Sequence, residues 1–366
     1  MIARDDDRGL AAALAEIAAG AGQRDAESHP RFPQAAFAAL RAAGALAGNA
    51  VSGSGRPRAA AELELVRRVA AADGSVGRIF DGHLNGTERV AVQGPAGLRE
   101  RELRAVAAGE RLVGVWGGDP VPGEGAPAAV VAVGDHEVLR GVKTFCSGAG
   151  GLDRALVLAR PAPGETGPPI SVWVDLTDSR AVEVDDTWYR SHGLVASVSH
   201  RVVFHDAPVL ARLGDPGAIA VQPWFGRDAL RTAASWAGMA DAAVRGALRS
   251  LAQRPAGSQL EALAAGRILT AQRTIDVWLR ADAEAMDRAG PELADVALHA
   301  RAAIADACRG LLDEAARACG SRPFARAETL DRARRDLELF LLQHRLDPLV
   351  ARAGDAALAQ LRDGAG

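Results

Sequence analysis

Apolar residues recur at helical spacing through the first third of the chain. Leu10, Leu14 and Ile17 are three and four positions apart, a spacing that places side chains on one face of an α-helix. Gly44 follows a similar run and is the type of residue that ends a helix. The pattern predicts that residues 10–109 form packed helices.

The spacing changes in the middle of the chain, from residue 112 to residue 213. Short runs rich in Val and Ile alternate with turns that contain Pro and Gly. The clearest runs cover residues 129–133, 155–158, 170–174 and 201–204. Such runs are typical of strands joined by tight turns. We therefore predict a small antiparallel β domain, either a barrel or a sandwich.

Helical spacing returns after residue 228. Ile268 and Ile275 lie on one face of a long Ala-rich segment, and the pattern predicts a final helix over residues 330–345. Long helices of this composition usually pack as a bundle. The prediction is an α+β multidomain fold. Its parts are an N-terminal helical domain (1–110), a central antiparallel β-barrel or sandwich (111–213) and a C-terminal four-helix bundle (214–366).

Composition and charge exclude several classes of protein. The 366 residues include 43 Lys and Arg against 46 Asp and Glu, and no basic cluster stands out, so we expect neither a nucleic-acid nor a membrane partner. The acidic start differs from a signal peptide, and no apolar run is long enough to span a bilayer. Three unpatterned cysteines predict neither disulfides nor a metal site. We expect a cytoplasmic protein.

The candidate chemistry is concentrated in residues 139–159. Two β-prone stretches flank a turn of small residues that carries the Ser147 hydroxyl and follows the Phe145 ring. Gly148 and Gly150 have no side chain, so a flat ring can approach the backbone there. The segment predicts a site for a planar ligand, although Ser147 alone also fits a turn hydroxyl bonded to its own backbone.

Several runs together resemble the acyl-CoA dehydrogenase superfamily over nearly the full length. The strongest is residues 141–147, a Gly-x-Lys-x-aromatic-x-hydroxyl sequence similar to the strand of that family that faces the flavin. The other runs that carry the resemblance are residues 32–46, 72–77 with His83, 117–120, 201–209 and Arg335-Asp336.

The resemblance implies a flavin between the β domain and the helical bundle, with FAD as the first expectation. FMN, or reduced flavin supplied by a reductase, is the alternative. Ser147 would hydrogen-bond the flavin, and Phe145 would lie against its ring. Trp116 is a candidate wall of the cofactor pocket, unless it is an aromatic half-buried at a domain edge. Arg254 and Arg322 would meet the phosphates, unless they are solvated surface arginines.

The catalytic residues depart from the family pattern. The usual glutamate base corresponds to His344, and the alternative acid of some members corresponds to Asp228. Asp228 also fits a helix-dipole role in a first helical turn, as His344 does in a last one. His83 lies where dehydrogenases and monooxygenases of this family both carry histidine, so it does not select the reaction.

Three functions follow from the resemblance. The main prediction is a flavin-dependent dehydrogenase that oxidises a CH–CH unit next to an activated carbonyl, with Asp228 as the first candidate base and His344 as the second. The second is a monooxygenase that uses reduced flavin and O2, with His344 and His83 as donors or substrate-orienting groups. The third is an inactive scaffold paralogue.

The expected partners follow the same resemblance. They are a small-molecule substrate, with a thioester among the candidates but not an ordinary fatty acyl-CoA, and a flavin reductase in the monooxygenase case. We also expect a homodimer or homotetramer, because Ala-rich faces such as residues 294–318 suit close helix packing between subunits.

Overall fold

Helices surround a central sheet in this computed structural model, which describes residues 3–50, 58–254, 259–290, 292–343 and 345–363. The helices before the sheet are α1 (Ala3–Asp25), α2 (Gln34–Ala42), α3 (Ala59–Ala72), α4 (Gly74–Gln93) and α5 (Ala96–Ala107). Helix α4 begins where the Asp73 carboxylate accepts the backbone N–H groups of Ser75 and Val76, at 2.8 and 3.1 Å. This N-cap fixes the start of the helix that borders the site.

The central strands form one seven-stranded sheet in the order β1-β4-β5-β7-β3-β2, with β6 paired to β7. They are β1 (Val113–Trp116), β2 (Ala129–Val133), β3 (His136–Cys146), β4 (Arg154–Ala159), β5 (Ile170–Asp175), β6 (Val182–Asp185) and β7 (His200–Arg212). Every named pair is antiparallel except β1 with β4, which is parallel.

The sheet closes on itself where β2 meets the chain that leaves β4. Arg160 donates its backbone N–H to Ala128 at 2.8 Å and accepts that of Val130 at 3.1 Å. This parallel contact joins β2, one end of the strand path, to the end of β4, the second strand from the other end, and so closes the sheet as a barrel. The predicted antiparallel β domain is therefore confirmed, with the parallel pairing of β1 as the departure.

In the part of the chain that the structure describes, six helices follow the sheet. They are α6 (Trp224–Ala252), α7 (Gln259–Arg288), α8 (Leu293–Cys319), α9 (Arg322–Ala325), α10 (Thr329–Leu342) and α11 (Asp347–Asp363). Helix α11 was not expected, because the sequence pattern was interpreted as ending in a final helix before Asp347-Pro348. A proline is tolerated in the first turn of a helix, so here it begins an element rather than preventing one.

The first helices pack on the bundle at very short range. A Cβ on Gly238 of α6 would lie 2.1 Å from the Arg67 carbonyl oxygen of α3, and one on Gly77 of α4 would lie 2.5 Å from the Ala70 Cβ. Helix α3 is thus held between α4 and α6 with its backbone almost touching both. This contact fixes the relative position of the two helices whose charged residues are described below.

No described helix is long and apolar enough to cross a membrane. No group of three or more His, Cys, Asp or Glu in the described part of the chain is arranged to hold a metal ion.

Candidate functional site

Three buried serines from two distant segments form a line of hydrogen bonds. The Ser147 hydroxyl lies 2.8 Å from that of Ser199, which lies 2.8 Å from that of Ser197. Ser147 therefore bonds another side chain and not its own backbone. Trp116 is buried and donates its indole N–H to the Ser147 carbonyl oxygen at 3.0 Å, so it holds the loop in place. We call Ser147, Ser197 and Ser199 the serine line.

Phe145 is an exposed aromatic ring beside the serine line. Strand β3 is irregular between Lys143 and Cys146, and Phe145 has a φ of +54°, which is rare for an aromatic residue. The ring is 60% exposed and lies edge-on to Trp188, with centroids 5.0 Å apart. A strained backbone that presents an uncovered ring next to buried hydroxyls is typical of a ligand site.

His200 is a member of this region that the sequence analysis missed. It follows Ser199, is only 3% exposed, and its Nδ1 has no hydrogen-bond partner within the described residues. Its ring is edge-on to that of Tyr189, with centroids 6.3 Å apart. Burial lowers the pKa of His200, which favours the neutral ring. No motif in the sequence marks this residue, because its place beside the serine line depends on the pairing of β7 with Cys146 of β3, 54 positions upstream.

Asp336 joins helix α10 to the loop that leads into the serine line. Its Oδ1 accepts the Leu194 backbone N–H at 2.6 Å, and the carboxyl is 2% exposed. Burial raises the pKa of Asp336 to about 7. Tyr189 donates its hydroxyl to the Gly193 carbonyl oxygen at 3.2 Å in the same loop. Helix α10 of the bundle is therefore joined to the loop of the site through Asp336 of the Arg-Asp motif.

His83 is fully buried and both of its ring nitrogens are engaged. Nε2 lies 2.8 Å from the Leu46 carbonyl oxygen, and Nδ1 accepts the Val113 backbone N–H at 3.2 Å. Burial lowers the pKa of His83 to about 4, so the ring is neutral near pH 7 and Nε2 carries the proton. This arrangement favours a positioning role that ties α4 to β1 and to the first helices.

Asp228 lies in a network of ion pairs between α4 and α6. Its Oδ2 accepts two bonds from Arg89, at 3.0 and 2.5 Å, and its Oδ1 lies 3.3 Å from Arg231. Burial raises the pKa of Asp228, while the two guanidinium groups oppose that rise. Arg231 also pairs with Glu62 and Glu88 at 2.5 and 2.7 Å. The carboxylate is therefore already paired with two cations.

The remaining predicted site residues lie elsewhere. Arg254 donates to the Cys319 carbonyl oxygen at 2.7 Å and pairs with Glu261 at 3.1 Å. Arg322 is exposed at the start of α9, close to the same end of the bundle. His344 lies outside the described residues. The structure thus brings Trp116, Phe145 and Ser147 together and places the two arginines at a separate end of the bundle.

No protein-family model and no curated protein matches this sequence. Several solved structures match the fold. TdsC from Paenibacillus sp. A11-2, a dibenzothiophene monooxygenase, matches in its complex with FMN and indole with a TM-score of 0.84, at 20% identity over 97% of each chain. The methanesulfinate monooxygenase MsuC from Pseudomonas fluorescens has a TM-score of 0.81 at 20% identity over 96% of each chain.

KijD3 in complex with FMN and a dTDP-linked amino-keto sugar is a third match. Its TM-score is 0.77 at 24% identity, over 93% of this chain and 90% of that one. The three likenesses confirm the acyl-CoA dehydrogenase-like fold that the sequence resemblance implied.

Proposed function

We propose that this protein binds FMN beside the serine line and acts as a monooxygenase that uses reduced flavin and O2. The observation that carries the proposal is the exposed Phe145 ring next to the buried Ser147 hydroxyl. FMN-bound TdsC and KijD3 share the fold, which supports FMN, the alternative cofactor, over FAD.

The residues of this region fit a flat flavin ring. Ser147 offers a hydroxyl that is both donor and acceptor, and its bond to Ser199 uses only part of that capacity. Phe145 and Trp188 supply an aromatic wall, and Gly150, with nothing within 4 Å of a Cβ placed on it, leaves the loop backbone open to close approach. We assign Trp116 to positioning, because its indole N–H holds the Ser147 carbonyl.

The reaction requires two electrons, O2 and a substrate. Bound in reduced form, FMN would supply the electrons, so that one oxygen atom enters the substrate and the other leaves as water. The chain would orient the ring through Ser147 and Phe145 and shield it from water. His344 stays the candidate proton donor, since both nitrogens of His83 are engaged.

The dehydrogenase hypothesis needs a carboxylate free to remove a proton. Both carboxylate oxygens of Asp228 are engaged, one by Arg89 and the other by Arg231, so the group is not free to reach a substrate proton. This pairing supports the choice of the monooxygenase. It gives Asp228 a structural role between α4 and α6.

The contacts of the arginines at the end of the bundle also favour FMN over FAD. Arg254 is engaged by Glu261 and by the Cys319 carbonyl, so a second nucleotide phosphate would have to displace these contacts. We therefore propose no FAD adenylate site at Arg254 and Arg322. A separate reductase would supply reduced FMN, and the substrate would be a small molecule.

We propose self-association through α7 and not through the Ala-rich face of α8. Ala297, Ala300, Ala305 and Ala315 of α8 are buried inside the chain, and the exposed positions of this helix are mainly charged. Helix α7 exposes Leu263 and Val277, at 49% and 53%, fourteen positions apart on one face. Such a face is suited to a helix of a second copy.

The test of the flavin site is an equilibrium titration of the protein with FMN, followed by flavin fluorescence. We expect one FMN per chain, bound about fivefold more weakly by Ser147→Ala because one hydrogen bond is lost. Ser171→Ala is the matched control, since Ser171 is a buried serine on β5 with no hydrogen-bond partner among the described residues. Equal affinity in both variants, or no binding of FMN or FAD, would contradict the site.

A further inference from the structure

Two arginines share one carboxylate in the helical layer under the site. Arg78 of α4 lies 3.8 Å from Asp81, and its guanidinium carbon is 5.4 Å from the centre of the Phe340 ring. The guanidinium carbon of Arg301 on α8 lies 5.3 Å from the centre of the Trp236 ring. The two rings meet edge-on, with centroids 6.2 Å apart. We call Arg78 and Arg301 the arginine pair.

The donors of the arginine pair are largely unused. Arg301 is 5% exposed, and its Nε and Nη2 have no hydrogen-bond partner within the described residues. Arg78 faces Asp81 across a distance longer than a hydrogen bond. Asp81 itself accepts from Asn85 at 2.9 Å and from Thr232 at 3.2 Å. Asp81, a carboxylate with other partners, therefore acts on both the buried Arg301 and the half-buried Arg78.

No neighbouring anion offsets this charge in the described residues. Arg231 also acts on Asp81, but it is already paired with Glu62 and Glu88. A buried guanidinium with empty donors is costly, because desolvation is not repaid by hydrogen bonds. Burial accordingly lowers the pKa of Arg301 to about 10. The arginine pair therefore has two positive charges for the one negative charge of Asp81.

The arginine pair connects to the proposed flavin site through Tyr189. Arg78 and Tyr189 are near enough to influence each other's charge. Tyr189 is edge-on to His200, which follows Ser199 of the serine line. Tyr189 therefore neighbours both His200 and Arg78.

We propose that the arginine pair binds an oxyanion of the substrate, a carboxylate or a sulfonate, and so selects acidic organic substrates. This inference rests on the proposed function, because it makes the same site the place of substrate recognition. Two guanidinium groups with free N–H donors match the acceptor oxygens of such a group. The Phe340 and Trp236 rings behind them hold the two side chains in place through cation–π contacts.

The experiment compares anions with neutral amides by calorimetry, on the protein with and without FMN. The probes are benzoate against benzamide and methanesulfonate against methanesulfonamide. We expect at least one anion to bind about tenfold or more tightly than its amide, as charged hydrogen bonds require. Arg301→Gln and Arg78→Gln should each remove the preference. Arg309→Gln should keep it, because Arg309 is an exposed arginine of the same helix.

The phosphate of FMN is the other oxyanion that could occupy the arginine pair. Measuring anion binding with and without FMN distinguishes the two. If the arginine pair holds the substrate, saturating FMN leaves anion binding intact. Competition between FMN and the anion would assign the pair to the cofactor and overturn the proposal. Equal binding of anion and amide, or a preference that survives both variants, would also overturn it. The flavin-free arm gives its answer even if FMN does not bind.

Discussion

Asp282 and His83 are buried ionisable residues in opposite situations. His83 has a partner on each nitrogen, whereas both carboxyl oxygens of Asp282 lack a hydrogen-bond partner among the described residues. Burial raises the pKa of Asp282 to about 8. The folded state therefore holds a proton on Asp282 near pH 7 that the unfolded chain has released.

Asp282→Asn tests this protonation state through stability. Between about pH 5 and pH 7 the folded protein binds one more proton at this carboxyl than the unfolded chain does, so Asp282 makes stability fall as pH rises. The variant should remove a slope of about −1.4 kcal/mol per pH unit from the free energy of unfolding. Denaturant unfolding across that range measures it. An unchanged slope would mean that Asp282 is ionised in the folded protein.

At the scale of elements, α3, α4 and α6 pack closely because two positions at their contacts are glycines, where a side chain would not fit. The closest contact is at Gly238, where a Cβ would meet the Arg67 carbonyl. Backbone atoms cannot move aside as the end of a flexible side chain can. The position of α3 against α6 thus depends on the absence of one methyl group at Gly238, and that of α4 against α3 on the absence of another at Gly77.

Gly238→Ala should destabilise the protein by about 2 kcal/mol, because overpacking outweighs the gain in helix propensity. Gly310→Ala is the control, since nothing lies within 4 Å of a Cβ at this exposed glycine of α8. That variant should stabilise by up to about 1 kcal/mol. The free energies of unfolding measure both. Stabilisation by both substitutions would show that the helices are not in close contact.

The parts predictable from sequence are the local ones. Residues 141–147 form one contiguous run, so Phe145 and Ser147 were identified and do lie together. Ser199 and His200 were missed, because their place beside Ser147 depends on the pairing of β3 with β7. No feature of the sequence indicated that Asp228 would pair with Arg89, 139 positions away. Both sets of contacts join residues that are far apart in the sequence, so no local pattern predicts them.

At the scale of the whole molecule, buried ion pairs join the N-terminal helices to the bundle. Arg89 and Glu88 of α4 and Glu62 of α3 meet Asp228 and Arg231 of α6. Removing one partner leaves the others charged and buried, which is the costly change in such a network. The network therefore holds α3, α4 and α6 in fixed positions beside the site.

Asp228→Asn separates this structural role from a role as catalytic base. We expect a loss of roughly 3 kcal/mol in stability, because Arg89 loses its ionic partner, with turnover retained at temperatures where the variant is folded. Asp306→Asn removes an exposed ion pair and should cost less than about 1 kcal/mol. Thermal unfolding and activity assays compare the two. A stable Asp228 variant without turnover would instead identify the base of a dehydrogenase.

The reaction of the reduced holoprotein with oxygen tests the central claim most directly. The FMN-loaded protein is reduced without oxygen, mixed with O2, and followed by oxygen consumption and by flavin absorbance in the same vessel. Our account predicts that oxygen is consumed before the oxidised-flavin spectrum returns, since a monooxygenase retains the activated oxygen for its substrate. Return of that spectrum in step with oxygen consumption, or a reduced flavin that hardly reacts with oxygen, would contradict it.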